Sequence, residues 1–152
     1  MHGFAGLRQY GLSEELISMK TWMMGGSCKL INDVNIGHLY RNNARANAKG
    51  APPYIASAEC VVHNRLLTAE LLLPPGHFDG LMGFIDPIQR RAFADSYVVA
   101  REMLDREREF VDAERDYIQS NSVMGFFDVL DRFGCRYSLP YRADAVPAQP
   151  VL

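Results

Sequence analysis

The sequence predicts an α/β fold in which helices dominate, and two patterns support that prediction. Apolar residues recur at spacings of three and four along several stretches, which is typical of amphipathic helices. Alternation of apolar and polar residues, which indicates a strand, is confined to the first third of the chain. The 152 residues are 48% hydrophobic and 22% charged, a balance that fits one globular domain.

The first predicted helix runs from Ser13 to Met24. Ser13 is a suitable N-cap, and the Gly25-Gly26 pair ends the helix because glycine tolerates the left-handed conformation of a C-cap. Its predicted apolar face consists of residues three or four apart, namely Leu12, Leu16, Met19 and Met23. A strand is predicted over residues 28–36, and residues 42–53 form a long polar loop with glycine and proline.

Three further helices are predicted in the rest of the chain. The second covers residues 57–72. The third begins with Asp86 as N-cap and Pro87 at the first helical position, and it continues to about Gln119, with or without a break. The last covers residues 122–133 and stops at the glycine that follows.

Charge and cysteine content exclude several classes of protein. Sixteen basic against eighteen acidic residues give a net charge of -2, which argues against a nucleic-acid binder. Residues 101–116 mix both signs and predict a solvated helix face with side-chain pairs. Cys28, Cys60 and Cys135 are odd in number and far apart, so neither a zinc knuckle nor a disulfide framework is indicated. No apolar run reaches membrane-spanning length, and a cytoplasmic location is expected.

The most informative stretch is residues 10–41. It contains an acidic helix start, a tryptophan one turn before the Gly-Gly stop, the predicted strand, and then Gly37-His38-Leu39-Tyr40-Arg41. Such an order can bring a carboxylate pair near a histidine. The residues by themselves point to no particular reaction.

This stretch resembles the end of the catalytic domain of polypeptide N-acetylgalactosaminyltransferases and their bacterial glycosyltransferase family 2 relatives. In that family a helix with a Ser-x-Arg-x-Trp pattern ends in Gly-Gly, and a strand then leads to Gly-His-x-x-Arg. The positions that match in order are Ser18, Lys20 in place of Arg, Trp22, Gly25, Gly26, Gly37, His38 and Arg41. The resemblance implies the helix-rich C-terminal half of a GT-A, Rossmann-like glycosyltransferase domain that lacks the nucleotide-binding half.

The resemblance implies that His38 is a ligand of a catalytic Mn²⁺, or Mg²⁺, ion. Such an ion bridges the diphosphate of a nucleotide-sugar and offsets the charge that develops on the leaving group. One histidine cannot hold a metal by itself, so other ligands must come from the missing half or from substrate. From the residues alone, His38 fits better as a histidine at a strand end that is hydrogen-bonded to backbone.

The acidic helix start supplies the candidate catalytic residues, Glu14 and Glu15. In inverting relatives of the family an acid at this position acts as base on the acceptor hydroxyl, and Glu14 falls on it. A carboxylate at a helix N-terminus is held ionised, which suits that role. Both residues also fit ordinary charges at a helix start.

The resemblance also implies four substrate-binding residues: Arg8, Trp22, Tyr40 and Arg41. Arg41 is expected to pair with phosphate, and Arg8 to face the acceptor or the diphosphate. Trp22 fits either a sugar platform or an anchor of the core.

The predicted organisation is the end of a catalytic domain over residues 1–53, a helical extension over 54–141 and a loose tail over 142–152. No Asp-x-Asp metal motif follows a strand, so we expect a fragment, a remnant or one part of a split enzyme. Completed by a nucleotide-binding half on another chain, it would transfer sugar from a nucleotide-sugar to a sugar, lipid or peptide acceptor. The alternative is a non-catalytic remnant or helical interaction module. We expect exposed apolar surface within residues 1–36, and therefore self-association or a partner chain.

Overall fold

The computed structural model describes residues 4–9, 11–35 and 56–135 of the chain. In these ranges the backbone forms five α-helices. They are α1 (Ser13–Met23), α2 (Ala58–Leu72), α3 (Pro75–Arg106), α4 (Arg108–Asn121) and α5 (Phe126–Arg132).

The predicted α/β class is wrong for the part of the chain that the structure describes, because no residue there lies in a β-strand. The described part of the predicted strand, residues 28–35, is irregular with one turn. The apolar side chains of this segment are not buried, since Leu30 is 88% and Val34 55% exposed. A strand needs a neighbour that satisfies its backbone groups, and no described segment pairs with this one. A sheet-based, Rossmann-like half-domain is therefore not the architecture of these residues.

The first helix lies where the sequence predicts it, although its N-cap differs. Leu12 takes the cap position with a left-handed φ of 60°, and Ser13 is the first helical residue. The Ser13 hydroxyl donates to the Glu14 carboxylate at 2.9 Å instead of capping the helix. The predicted apolar face is confirmed in its centre, since Leu16 and Met23 are buried in the core.

Glycines end α1 and α5 as predicted. Gly25 has a φ of 79° and Gly134 a φ of 61°, which are left-handed values that residues with a Cβ rarely adopt. The N–H of Gly25 donates to the Trp22 carbonyl, and the N–H of Gly26 donates to the Thr21 carbonyl at 2.8 Å. Two crossed bonds of this kind form a Schellman motif, which satisfies carbonyls that the helix leaves open. The same pair of bonds follows α5.

The second helix is the centre of the bundle. It begins at the predicted Ser57, whose hydroxyl accepts the Cys60 N–H at 3.4 Å. Buried residues lie on most of its sides, so it needs cover from several neighbours. It packs against α1, α3 and α4, and α1 also packs against α5.

The third helix begins twelve residues before its predicted start. Pro75 occupies the first helical position, where a missing N–H is harmless, and the helix then continues through Pro87 to Arg106. Asp86 is therefore not an N-cap, and Pro87 lies inside the helix, where it has no N–H to donate to the Gly83 carbonyl. The break allowed for in the sequence is confirmed at Glu107, which separates α3 from α4.

The last helix is shorter than predicted and begins at Phe126 rather than Ser122. Ser122 belongs to the end of α4, because its hydroxyl donates to the Ile118 carbonyl at 2.6 Å. Gly125 is the actual N-cap residue, and its N–H donates to the Asp128 carboxylate at 2.8 Å. Asp128 thus satisfies an open backbone donor at the positive end of the helix.

One apolar core joins α1 to all the later helices. Its innermost members include Leu16 of α1, Leu67 of α2, Leu104 of α3, Ile118 of α4 and Val129 of α5. The predicted boundary at residue 53 lies outside the described residues. Exposed apolar surface near the N-terminus is confirmed, since Phe4, Leu30, Ile31 and Val34 are all more than half exposed.

Candidate functional site

The candidate catalytic carboxylates lie on the surface. Glu14 and Glu15 are both exposed in the first turn of α1. The pKa of Glu14 is lowered by a hydrogen bond from its own backbone N–H and then by the Ser13 hydroxyl. Glu14 is thus ionised, as predicted, but both bonds that hold it so are local bonds of a helix start.

Arg8 lies beside the break between α3 and α4. Its guanidinium forms an ion pair with Glu107. Its backbone N–H donates to the Asn64 side-chain oxygen at 2.8 Å, and its carbonyl accepts from the Asn64 amide at 2.9 Å. These bonds attach the N-terminal segment to α2.

Trp22 lies at the other end of α1, about 12 Å along the helix axis from Glu14. It is half-buried and packs edge-on against Phe133, with ring centroids 4.9 Å apart. The Arg132 guanidinium lies 5.5 Å from its ring centroid, within the range of a cation–π contact. Trp22 therefore connects α1 to α5.

Three predicted site residues, His38, Tyr40 and Arg41, lie outside the described residues. Within the described ranges, no three His, Cys, Asp or Glu side chains come together as they would to hold a metal ion. The assignment of Mn²⁺ or Mg²⁺ to His38 stays a prediction. Of the predicted site residues that the structure describes, Glu14 and Trp22 lie at opposite ends of α1.

A small cleft surrounds the Arg8–Glu107 pair. It has a volume of about 410 Å³ and is lined by Gly6, Leu7 and Phe110 besides the ion pair. His63 of α2 lies beneath, fully buried, with Nε2 3.9 Å from a Glu107 carboxylate oxygen. Burial lowers the pKa of His63, against a smaller opposing effect of its contact with Asn64.

A larger cleft lies at the opposite end of α2, where α1, α2 and α4 end and α3 and α5 begin. Its volume is about 460 Å³. We call it the end cleft. It is lined by apolar side chains and by three polar ones, namely Met23, Leu72, Pro74, Pro75, Val123, Met124 and Phe126, and Gln119, Ser122 and Asp128. The backbone N–H of Val123 donates to the Met23 carbonyl at 2.8 Å, so the rim is joined to α1.

Comparison with known proteins gives no relative. No protein-family model matches this chain, and neither the curated proteins nor the solved structures give a match. The resemblance to glycosyltransferases therefore stays a prediction. In the part of the chain that the structure describes, no helix is both long and apolar enough to cross a bilayer.

The sequence did not single out the buried charges. Lys20 and Glu114 form an ion pair inside the bundle, and Glu70 of α2 pairs with Arg108 and Arg115 of α4. The predicted solvated face over residues 101–116 is thus only partly correct, because Glu114 points inward. Cys28, Cys60 and Cys135 are free thiols, and Cys60 is buried.

Helical spacing was the signal that could have identified the buried pair. Lys20 lies four residues after Leu16 and three before Met23, on the same helix face. Glu114 lies three residues after Val111 and four before Ile118. A charge in the middle of an apolar stripe is buried when the stripe is buried, and it then needs a partner.

Proposed function

We propose that this chain is a helical interaction module that binds a protein partner in the end cleft. The observation that supports this proposal most directly is the apolar lining of that cleft at the surface of the bundle. Covering such surface removes apolar area from water, which favours association by roughly 25 cal/mol for each Å². Exposed apolar surface of this kind marks contact sites more often than chemistry.

The composition of the cleft favours a protein partner. Met23 and Met124 contribute flexible thioether side chains that adjust to the shape of a partner, and Phe126 contributes a ring. Val123, on the rim, is 70% exposed. Large apolar side chains that line one concave surface are typical of grooves that accept an apolar segment or helix face.

The described surroundings of the glutamates add no support for a catalytic base. Neither Glu14 nor Glu15 is buried, and the bonds that hold Glu14 ionised are local bonds of a helix start. A general base must lie within hydrogen-bond reach of the proton it removes.

Photo-crosslinking tests the proposal directly. A photoreactive residue replaces Val123 on the rim of the cleft, and in a matched variant it replaces Val98, which is 51% exposed on α3. Each protein is produced and irradiated in the cells that normally make it. We expect a discrete protein adduct when the photoreactive residue is at position 123. The yield of that adduct should be several-fold lower from position 98, and Met124→Gln should reduce the yield from position 123.

Two results would overturn the proposal. The first is an adduct pattern that is the same at both positions or unaffected by Met124→Gln. The second is turnover of a UDP-sugar by the purified chain with Mn²⁺ that is lost in Glu14→Gln and kept in Glu15→Gln, because that pattern belongs to a transferase.

A further inference from the structure

The residues that follow α1 present an apolar surface that the rest of the described chain does not cover. We call residues 26–35 the 26–35 segment, and all of them are exposed. Leu30 is 88%, Ile31 68% and Val34 55% exposed. Three large apolar side chains within five residues exceed the scattered exposure that is normal at a protein surface.

This segment begins at the rim of the end cleft. A Cβ on Gly25 would lie 3.1 Å from a Val123 methyl group, and Met23 itself lines the cleft. The two backbone bonds of the Schellman motif fix the turn at Gly25 and Gly26. In a single chain, an apolar cleft and an apolar segment therefore lie side by side, while Leu30 and Ile31 stay exposed to water.

We propose that the occupant of the end cleft is the 26–35 segment of a second copy of this chain. The inference rests on the function proposed above and names its partner. Each copy has one segment and one cleft, so a two-fold axis allows two copies to exchange segments and to use both surfaces at once. Ten extended residues span up to about 33 Å, enough to reach across a two-fold contact.

Charge complementarity favours this occupant. Lys29 precedes Leu30 in the segment, and Asp128 is exposed in the wall of the end cleft. A segment that inserts Leu30 beside Met124 and Phe126 brings the neighbouring Lys29 to the rim of the cleft, where Asp128 lies. Opposite charges at the rim of an interface set register and speed association more than they raise affinity.

Sedimentation analysis of the unaltered chain and three variants over a concentration series tests the exchange. The segment variant carries Leu30→Asp and Ile31→Asp, and the cleft variant carries Val123→Asp, a change at an exposed position that the fold tolerates. Val98→Asp is the control, because Val98 is an exposed valine outside both surfaces. The unaltered chain and the control should form dimers, whereas the segment and cleft variants should dissociate at least about tenfold more readily, which corresponds to the loss of a few buried methyl groups.

A mixture of the two defective variants provides the decisive measurement. The cleft variant still has an intact segment, and the segment variant still has an intact cleft, so an equal mixture should recover dimers through one of the two contacts. Lys29→Glu should weaken the dimer several-fold at low salt and less at high salt. Met124→Gln, a second cleft variant, should weaken it as Val123→Asp does while circular dichroism stays unchanged.

Other outcomes overturn the exchange and identify what replaces it. Loss of the dimer in the cleft variant alone, without loss in the segment variant, means that two clefts pack face to face. A monomer at every concentration means that no second copy binds. If the chain is a monomer but still gives a crosslinked adduct with a different protein at position 123, the proposed function is supported and the proposed exchange between two copies is wrong.

Discussion

Lys20 of α1 and Glu114 of α4 form an ion pair inside the bundle, with Nζ 2.5 Å from a carboxylate oxygen and both side chains 1% exposed. Removing two charges from water is unfavourable, and the pair offsets this only because each charge faces the other at short distance. The contact joins helices that are 94 residues apart in sequence. It therefore fixes which face of α1 meets α4, whereas apolar contacts alone would allow sliding.

The first prediction concerns this pair. Lys20→Met should destabilise the fold by about 3–5 kcal/mol, because it leaves Glu114 buried without its cation. Urea denaturation monitored by circular dichroism measures the free energy of unfolding. Lys29→Met, at an exposed lysine, is the matched control and should change stability by less than about 0.5 kcal/mol. The double variant Lys20→Met with Glu114→Leu should recover most of the loss, and a double variant as unstable as the single one would contradict this account.

Local signals in the sequence located most helix ends but not the tertiary class. The Gly25 and Gly134 stops depend on a few neighbouring residues, so the sequence predicts them correctly. The predicted start of the second helix at Ser57 lies at its N-cap. The strand over 28–36 was wrong because alternation measures only the local pattern. Whether a second strand lies beside it depends on distant residues.

What the predicted site residues of α1 contact was likewise beyond local signals. Spacing along α1 placed Glu14 and Trp22 on one helix, but only packing decides what each of them faces. Trp22 meets Phe133, which is 111 residues further along the chain. Glu14 faces water. The buried charged residues, Lys20 and Glu114, are of the same residue types as their solvated neighbours. Only their positions within apolar helix faces distinguish them.

Two neighbouring arginines should differ in their contribution to stability. Arg108 pairs with Glu70, a buried residue, and that hydrogen bond and nearby carboxylates raise the pKa of Arg108 although burial acts against its charge. Arg108→Ala should cost about 1–3 kcal/mol, because Glu70 loses a charged partner. Arg106→Ala removes only an exposed pair with Glu102 and should cost less than about 0.5 kcal/mol. Equal losses in the same denaturation assay would show that the Glu70 contact does not stabilise the fold.

Two glycine-to-alanine changes should have opposite signs. Gly83 lies inside α3, and a Cβ there meets nothing within 4 Å. Gly83→Ala should stabilise the protein by about 0.5–1 kcal/mol, because alanine loses less conformational entropy in a helix. Gly134 has equal space but a φ of 61°, so Gly134→Ala should destabilise by about 1 kcal/mol. Thermal melting of both variants checks the contrast, and a loss at Gly83 would mean that α3 is not helical there in solution.

The last prediction is a loss of stability in mild acid that originates at His63. Burial lowers the pKa of His63, so the unfolded chain, with a histidine pKa of about 6.5, takes up a proton before the folded chain does. Stability should therefore be constant above about pH 7 and fall as the pH drops from about 6.5 toward the folded pKa, with a slope of at most about 1.4 kcal/mol per pH unit. The groups that face the ring are Asn64, Arg8 and Glu107, and the cation of Arg8 also disfavours the charged ring. Denaturation midpoints measured from pH 7.5 to 5.5 should show this slope in the unaltered chain and in His77→Gln but not in His63→Gln. A slope that survives in His63→Gln would assign the acid sensitivity to another group.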